Sequence, residues 1–405
     1  MANTNSVVDM VAREALRIAH EKATFIGTIN RSYDDSFAKE GGKIGSTLRV
    51  RDPNQYVRRQ GSRVMDVQDQ ASTTQTITVA TQDGVDMRFN SAELSLDIDE
   101  LSSRYIEPAM ASLISGIDGD CINTATLNTY NVVGAAGTVV GASGDITALG
   151  NARARLNQML APKDGGRVLQ LDSITMASIV NGNKALFQPG NDVKEAFREG
   201  FYARSAMADF YENERTRVHS VGSDVTVSTS SSAAVTDGGT NITMNGSDGN
   251  INAGDVFTVA GVYACHPETK ASLGYLQQYV ATAASTGAVT VSPATIISGA
   301  KQNVCSSTGA AIAVTAYNSQ VLTFVGTAST AYRRNLMYHK DAFTFVTADL
   351  PIMANAEKCV RRTQDGISLR VWTDGDIRND ELLLRIDILY GFKTLRPEWS
   401  TQITN

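Results

Sequence analysis

The chain has 405 residues, of which 19% are charged, and a formal net charge of −6 with a sequence pI near 5.4. This length allows two or three domains with well-buried cores. The acidic balance argues against a protein that gathers nucleic acid by bulk charge, and no apolar run reaches the roughly 20 residues that span a bilayer. The first residues lack the features of a secretion signal, so we expect the protein to stay where it is made.

An apolar stripe predicts an amphipathic helix over residues 8–19. The stripe repeats at helical spacing and consists of Val8, Val11, Ala12, Ala15, Leu16 and Ala19. The other faces of the helix carry Arg13, Arg17 and Lys22. Two interpretations stay open, because the stripe could pack on the chain's own core or the helix could be an arm for a partner.

Residues 48–89 alternate around a polar middle, which predicts a long two-stranded hairpin with a mobile tip. Much of it is polar on both faces, so we expect it to lie across another element. Between positions 49 and 63, Asp52 is the one acid beside five arginines, which are Arg49, Arg51, Arg58, Arg59 and Arg63. Salt bridges to a neighbouring subunit fit better than phosphate contacts, because only Tyr56 is available for base stacking, and a solvated loop is the remaining alternative.

Residues 91–127 contain few helix breakers besides Pro108 and predict one long helix or two in line. Ser91 or Ser95 would cap its N-terminus. The acids that follow are Glu93, Asp97, Asp99 and Glu100. We interpret them as charges that match the helix dipole and not as a metal site.

The next segment predicts an α+β domain. Its glycines, Gly134, Gly137, Gly141 and Gly144, lack the spacing of a phosphate-binding loop and indicate a connector. A helix over 147–160, a turn at 162–166, a strand over 167–171 and a short helix over 173–180 then follow in order.

The composition changes abruptly after Arg217. No arginine occurs between Arg217 and Arg333, although the chain has 25, and this window holds only two lysines and five acids. It is rich in Ser, Thr, Gly, Val and Ala in short alternating runs, which is typical of a small antiparallel β-barrel or sandwich. We therefore predict a β domain inserted into an α+β host, whose two halves complete one core.

Strands resume after the insertion, over 342–346, 367–372 and 382–390. The last has apolar residues on both faces, which predicts a central position in its sheet. The run 374–380 begins like a calcium loop, but Arg378 stands where an oxygen ligand is needed, so a surface turn is the simpler interpretation.

No established catalytic or metal-binding motif is present. The four histidines and four cysteines are scattered, without HExxH, CxxC, a GxSxG elbow or a Cys-His-Asn signature. Cys265 and His266 are adjacent and would point to opposite sides of a strand. We expect no catalytic site, no cofactor and no metal.

Several segments resemble the major capsid (coat) proteins of tailed phages, in particular the coat protein family whose type member is a short-tailed Salmonella phage. Residues 195–201 (EAFREGF), 208–213 (ADFYEN) and His219 resemble the segment that leads into the inserted domain of that family. Residues 335–343 (NLMYHKDAF) look like the segment that leaves it, and 389–391 (LYG) with 396–398 (RPE) are similar to its end.

The resemblance implies the Hong Kong ninety-seven fold, an α+β class, with an inserted β-barrel. The expected domains are an N-terminal helix and arm (1–43), the hairpin called the E-loop (44–90), the spine helix with the first part of the peripheral and axial domains (91–217), the insertion (218–325) and the second part of the axial and peripheral domains (326–405). If a long loop of the insertion (about 236–255) reaches a neighbouring capsomer as in the type member, Asp237, Asp248 and Asp255 must meet arginines there.

The implied function is a self-assembling shell of pentamers and hexamers around double-stranded DNA, located in the virion and assembled in the cytoplasm of a bacterial host. A scaffolding protein and a portal are expected partners, a decoration protein is left open, and Arg13, Arg17 and Lys22 are candidates for contacting the scaffold. No lysine lies between Lys43 and Lys163, so isopeptide crosslinking through the E-loop is not expected. The alternatives are an encapsulin-like compartment and a carbohydrate- or cell-surface-binding protein.

Overall fold

The computed structural model describes residues 4–32, 47–56, 58, 61, 65, 73–90, 105–142, 146–183, 204–205, 208–223, 225, 227–245, 250–285, 287–353, 358–364 and 366–405. The chain divides into two compact units. Unit 1 contains Met1–Asp52, Thr74–Cys121 and Phe343–Leu395, and unit 2 contains Pro53–Thr73, Ile122–Ala342 and Arg396–Asn405.

The predicted N-terminal helix of unit 1 is present as α1 (Thr4–Lys22), followed by the short α2 (Phe25–Thr28). The part of the apolar stripe whose burial is described, from Val11 to Ala19, is buried, and α1 lies against β17 (Lys358–Gln364) and β18 (Ile367–Asp376). The stripe therefore packs on the chain's own core. Asp118 accepts hydrogen bonds from the backbone N–H groups of Phe25 and Ile26 at 2.9 Å, which caps α2.

The predicted hairpin is formed by β1 (Thr47–Arg51) and β2 (Thr74–Thr78), which pair antiparallel. The prediction that the hairpin continues to residue 89 is wrong, because β3 (Thr81–Asn90) pairs with β19 (Glu381–Thr394) instead. Alternation identifies a strand but not its partner. Phe89 lies opposite Leu382 and Val85 lies opposite Ile386, so β3 aligns its apolar residues with those of β19, and Phe89 is buried.

Unit 1 contains an antiparallel sheet in the order β16 (Phe343–Ala348), β19, β18, β17, with β3 as a further neighbour of β19. The predicted central position of the 382–390 strand is confirmed. Leu384, Ile386 and Ile388 of β19 are buried, whereas Leu383 is 45% exposed. Residues 377–380 form the predicted turn between β18 and β19, and no cluster of His, Cys, Asp or Glu in the described part of the chain could hold a metal ion.

The predicted long helix is present as α3 (Glu107–Asn128), which begins with Pro108 in its first turn, where the missing N–H costs nothing. The predicted start at residue 91, the caps Ser91 and Ser95, and the acids Glu93, Asp97, Asp99 and Glu100 lie outside the described residues. Among the helices that the structure describes, none is long and apolar enough to cross a membrane.

Unit 2 is built on a seven-stranded sheet. Its path is β4 (Val132–Val133), β20 (Ser400–Thr404), β15 (Ala331–His339), β5 (Arg167–Leu171), β7 (Ala208–Glu212) and β6 (Arg204–Ser205), and β8 (Arg217–Ser220) also pairs with β15. Two helices, α4 (Thr147–Gln158) and α5 (Ser173–Asn183), contribute to the unit. Its core joins Leu156, Leu169 and Phe210 to Met337 and Ile403. Residues before and after the low-charge window thus share one core.

The window itself forms a second sheet in unit 2. The sheet contains β9 (Gly239–Thr243), β10 (Val256–Cys265), β11 (Ser272–Ala281), β12 (Ala288–Thr295), β13 (Val304–Cys305) and β14 (Leu322–Phe324), and every pairing is antiparallel. Isolated bridges join Ser228 to Val321 and Thr229 to Met244. Residues 228 and 229 therefore connect the margins of β14 and β9, and the sheet encloses its own core around Phe257, Tyr279 and Tyr317.

Candidate subunit-contact surfaces

The β1–β2 hairpin has one apolar and one polar face, because side chains alternate along both strands. Leu48 and Val50 of β1 and the buried Ile77 of β2 pack with Val346 and Leu395. The opposite face is exposed and consists of Thr47, Arg49, Arg51, Thr74, Thr76 and Thr78, which we call the arginine face. Within the described part of the chain, no acid forms an ion pair with either arginine of this face.

The tip of the hairpin is described only in part. Arg58 is exposed, and Tyr56 is 57% exposed. Arg59 and Arg63, two of the predicted contact residues, lie outside the described residues. Of the five predicted arginines, the structure therefore brings Arg49 and Arg51 together on one face.

The predicted scaffold-contact residues lie on α1. Arg13 and Arg17 are exposed, and Lys22 is half-buried. The Arg17 guanidinium forms an ion pair with Glu14 at 2.6 Å, one helical turn earlier. This pair offsets one of the three positive charges that an acidic partner would meet. The structure thus leaves the scaffold role of α1 a prediction.

Asp255 is not a surface residue, which corrects its assignment as a contact between capsomers. Its side chain is 1% exposed, and Oδ1 lies 2.8 Å from His219 Nε2. The backbone N–H groups of Gly222 and Asn252 donate to Oδ2 at 3.0 and 2.7 Å. A buried carboxylate needs such partners, and Asp255 finds them within its own chain.

The other two insertion acids have different positions. Asp237 is exposed and accepts hydrogen bonds from the Ile297 N–H at 2.9 Å and from the Ser298 hydroxyl at 3.3 Å, so it stabilises a loop of its own domain. Asp248 lies outside the described residues. The loop between 236 and 255 is also shorter than predicted, because β9 occupies Gly239–Thr243.

Several contacts that the sequence did not indicate join the inserted sheet to the rest of unit 2. The Arg155 guanidinium on α4 stacks over the Tyr275 ring of β11, 3.1 Å from its centroid. Gln278 of β11 forms two hydrogen bonds of 2.9 Å with the backbone N–H and carbonyl of Val132. Burial lowers the pKa of Arg155 and raises that of Tyr275. These contacts, between residues more than 100 positions apart, leave no trace in local sequence patterns.

Several buried polar side chains of unit 2 interact with residues of the same unit. The buried His339 ring donates its Nε2–H to the Asp164 carboxylate at 2.9 Å, because Nδ1 accepts the Asp341 N–H, and the ring meets Trp399 edge to face. The Gly166 N–H and then His339 lower the pKa of Asp164 to about 2. Burial lowers the pKa of Arg334 to about 10, and the negative charge of Asp255 opposes this shift. The side chains of His339, Asp164 and Arg334 therefore all interact with residues of their own chain.

Comparisons with known proteins place the sequence in a family. The sequence model of the family described as "P22 coat protein - gene protein 5" matches residues 68–404, which include most of unit 2 and the parts of unit 1 that follow β1. No curated protein matches the sequence significantly.

Solved structures give more distant similarities. A protein of Mycobacterium phage Che8 is 10% identical, with a TM-score of 0.48 over 94% of this chain and 90% of that chain. The capsid structure of cyanophage P-SCSP1u is 11% identical, with a TM-score of 0.42 over 89% and 83%. A virus-like particle from Pyrococcus furiosus is 9% identical, with a TM-score of 0.42 over 98% of each chain. All three TM-scores lie below 0.5, so the assignment depends on the family match.

Proposed function

The chain belongs to the P22 coat protein family and is a major capsid protein, and we propose that it assembles as pentamers and hexamers into an icosahedral shell around double-stranded DNA. The observation that carries this proposal is the family match over residues 68–404. An encapsulin-like compartment and a carbohydrate-binding protein are not favoured, because the match covers the host domains and the insertion together.

The proposed fold is the Hong Kong ninety-seven fold with an inserted β-barrel. The shared core of unit 2 supports an insertion, because strands from both sides of the low-charge window pair in one sheet. The bridges of Ser228 and Thr229 support a barrel, because they join the two ends of the inserted sheet. We keep the domain limits 1–43, 44–90, 91–217, 218–325 and 326–405 as proposals, with strand β3 reassigned to the sheet of β19.

The hairpin is the proposed contact between neighbouring subunits. Its apolar face is fixed on unit 1 by packing, and Gln75 Nε2 donates to the Leu395 carbonyl at 2.9 Å. Its arginine face is thereby held outward. Exposed ion pairs are individually weak, worth about 0.2–1 kcal/mol, but a shell repeats each of them in many copies. The shell gains its stability from this multiplicity.

The remaining partners follow from the family and are proposals. They are a scaffolding protein, which Arg13, Arg17 and Lys22 would help to bind, a portal, packaged DNA held without sequence specificity, and a decoration protein in some shells. Assembly would take place in the cytoplasm of the bacterial host. If the scaffold prediction is right, Arg13→Glu with Arg17→Glu lowers scaffold incorporation, whereas unchanged incorporation contradicts it.

The test of the proposed function is self-assembly of the full-length chain. The purified protein is sedimented over a concentration series, imaged by negative-stain electron microscopy, and also coexpressed with a candidate scaffolding protein. We expect closed shells or polyheads, and we expect Arg58→Glu with Arg59→Glu to leave soluble subunits that assemble poorly. A monomer at every concentration, with and without that scaffold, contradicts a capsid function.

A further inference from the structure

The arginine face of the β1–β2 hairpin is a polar sheet face without an intrachain partner among the described residues. Arg49 and Arg51 lie two residues apart on the same side of β1, and Thr76 and Thr74 stand opposite them on β2. The packing of Leu48, Val50 and Ile77 on the other side fixes the strand from which both side chains project. Two guanidinium groups projecting from one face of a strand are suited to recognising carboxylates.

The same unit carries a surface of complementary charge at the turn between β18 and β19. Residues 374–381 contain four acids, Asp374, Asp376, Asp380 and Glu381, and one cation, Arg378, so their formal charge is −3. Arg88 of β3 offsets one of these charges through an ion pair with Glu381 at 3.4 Å. We call residues 374–381 the acidic turn.

An apolar side chain projects from the middle of the acidic turn. Ile377 is 97% exposed, and Leu383, which lies opposite Asp374 in the strand register, is 45% exposed. An isoleucine with almost no intrachain contact contributes nothing to the core of the subunit. Surrounded by charged residues, it has the arrangement of an interface anchor within a polar rim.

The two surfaces lie at opposite ends of β19. The hairpin lies against the end of the strand, where Gly391 approaches the Thr78 carbonyl so closely that a Cβ would stand 2.3 Å from that oxygen. The acidic turn lies at the start of the strand, at Glu381. Ten residues separate these positions, which corresponds to about 33 Å at about 3.3 Å per residue. One chain cannot bring its own two surfaces together.

We propose that the arginine face of one subunit docks on the acidic turn of a second copy of this chain, with Ile377 buried at the centre of the contact. The partner is a second copy because the charges are complementary and the two surfaces lie at opposite ends of one strand. Such a head-to-tail contact uses two different surfaces on each subunit, which is the kind that closes into rings. This inference rests on the proposed function and identifies the acids that its hairpin contacts.

The test is a charge swap in the full-length chain, measured as the yield of shells by sedimentation and microscopy. The first variant combines Arg49→Glu with Arg51→Glu, and the second combines Asp374→Lys with Glu381→Lys. Neither acid has a positive φ, and the turn is held by Asp376 through the Arg378 N–H and Asn379. Asp374 accepts the N–H of its neighbour Gly375, and Glu381 forms the exposed ion pair with Arg88, so the subunit loses only these surface contacts. Each variant places like charges in contact, so we expect the yield to fall at least tenfold.

The decisive variant combines all four substitutions, because it restores opposite charges with the positions exchanged. We expect its yield to return to within about threefold of wild type. A matched control reverses two exposed acids outside the turn, Glu212→Lys with Glu268→Lys, and we expect normal assembly from it. Circular dichroism and urea unfolding of each unassembled subunit exclude misfolding as the cause of a loss.

The outcomes separate the docking inference from the proposed function. If both paired variants lose shells and the fourfold variant stays defective, the two surfaces do not meet and the inference is wrong. If the Arg49→Glu and Arg51→Glu variant forms normal shells, the arginine face is not a subunit contact and the inference is wrong, whereas the tip arginines are tested by their own variant. If wild type forms no shells under any condition, the capsid function itself fails.

Ile377 gives an independent readout. We expect Ile377→Ser to lower the yield of shells at least threefold while the unfolding of the isolated subunit stays unchanged, because the side chain is solvated until the subunits associate. Ile377→Val, which keeps most of the apolar surface, is the conservative control and retains assembly. Equal yields of shells from both variants and from wild type would show that Ile377 does not take part in the contact.

Discussion

The inserted sheet and the β1–β2 hairpin place their charged residues in opposite ways. In the insertion, Asp255 is buried against His219, and the Tyr275 ring is covered by the Arg155 guanidinium of α4. These charged groups attach the inserted sheet to the rest of unit 2. The hairpin buries only apolar residues and exposes Arg49 and Arg51. A charged side chain that is paired within the subunit stabilises the subunit. We propose that the exposed charges of Arg49 and Arg51 serve in assembly instead.

The largest effect on the insertion side is expected from Asp255→Ala. This change leaves His219 and two backbone N–H groups buried without their acceptor, and breaking a buried pair in this way costs about 3–5 kcal/mol. Urea unfolding of the unassembled subunit measures the loss. Asp237→Ala is the matched control, because that carboxylate is exposed, and we expect it to cost at most about 1 kcal/mol. Equal losses would contradict the structural role of Asp255.

The two faces of the hairpin are separated by a second comparison. Ile77→Ala removes a fully buried side chain, so we expect the free energy of unfolding to fall by about 2–4 kcal/mol. Arg49→Ala with Arg51→Ala changes only exposed residues and should alter stability by no more than about 0.5 kcal/mol. Urea unfolding of the two unassembled variants measures both changes in stability. A large stability loss from the arginine variant would mean that its face has an intrachain role.

A smaller effect is expected from Arg155→Ala. The guanidinium lies over a half-buried tyrosine ring, and a desolvated cation–π contact of this kind is worth about 1–2 kcal/mol. Arg153 on the same helix is exposed, so Arg153→Ala controls for helix propensity and net charge. Thermal unfolding should show a lower midpoint for the first variant alone. Similar midpoints for the two variants would show that the Tyr275 contact contributes little.

The smallest effect concerns pH. The pKa of Asp164 is lowered to about 2 by the Gly166 N–H and by His339, so its contribution to stability is complete above the unfolded pKa near 3.8 and is lost as the pH falls through 2. Because the carboxylate is 46% exposed, the contribution is about 0.5 kcal/mol. The substitution Asp164→Asn should therefore make the unfolding midpoint depend less on pH between pH 4 and pH 2. An unchanged slope would contradict this.

Local sequence patterns predicted the helices and strands whose formation depends on residues close together in the chain. The strand over 167–171 occupies the predicted residues, and α4 begins at the predicted Thr147. The helix ends at Gln158 and not at Leu160, because Leu160 adopts a left-handed backbone with φ of 60°. The arginine-free window also indicated a separate sheet correctly, since composition follows burial and strand formation over many residues.

Pairing between distant residues could not be predicted in the same way. Strand β3 alternates as a hairpin strand would, and only the apolar face of β19 determines its partner. Asp255 resembles any loop acid in the sequence, and its burial depends on His219, which lies 36 residues earlier. The arginines of the hairpin were identified because they outnumber nearby acids, whereas the acids of residues 374–381 were interpreted only as part of a turn.

The most direct test of the account is an electron cryomicroscopy map of assembled particles formed by the full-length chain. We expect closed icosahedral shells in which the arginine face of each subunit contacts a neighbouring subunit, while Asp255 stays paired with His219 inside its own subunit. Shells in which Arg49 and Arg51 face solvent, or in which Asp255 reaches across to another subunit, would contradict it.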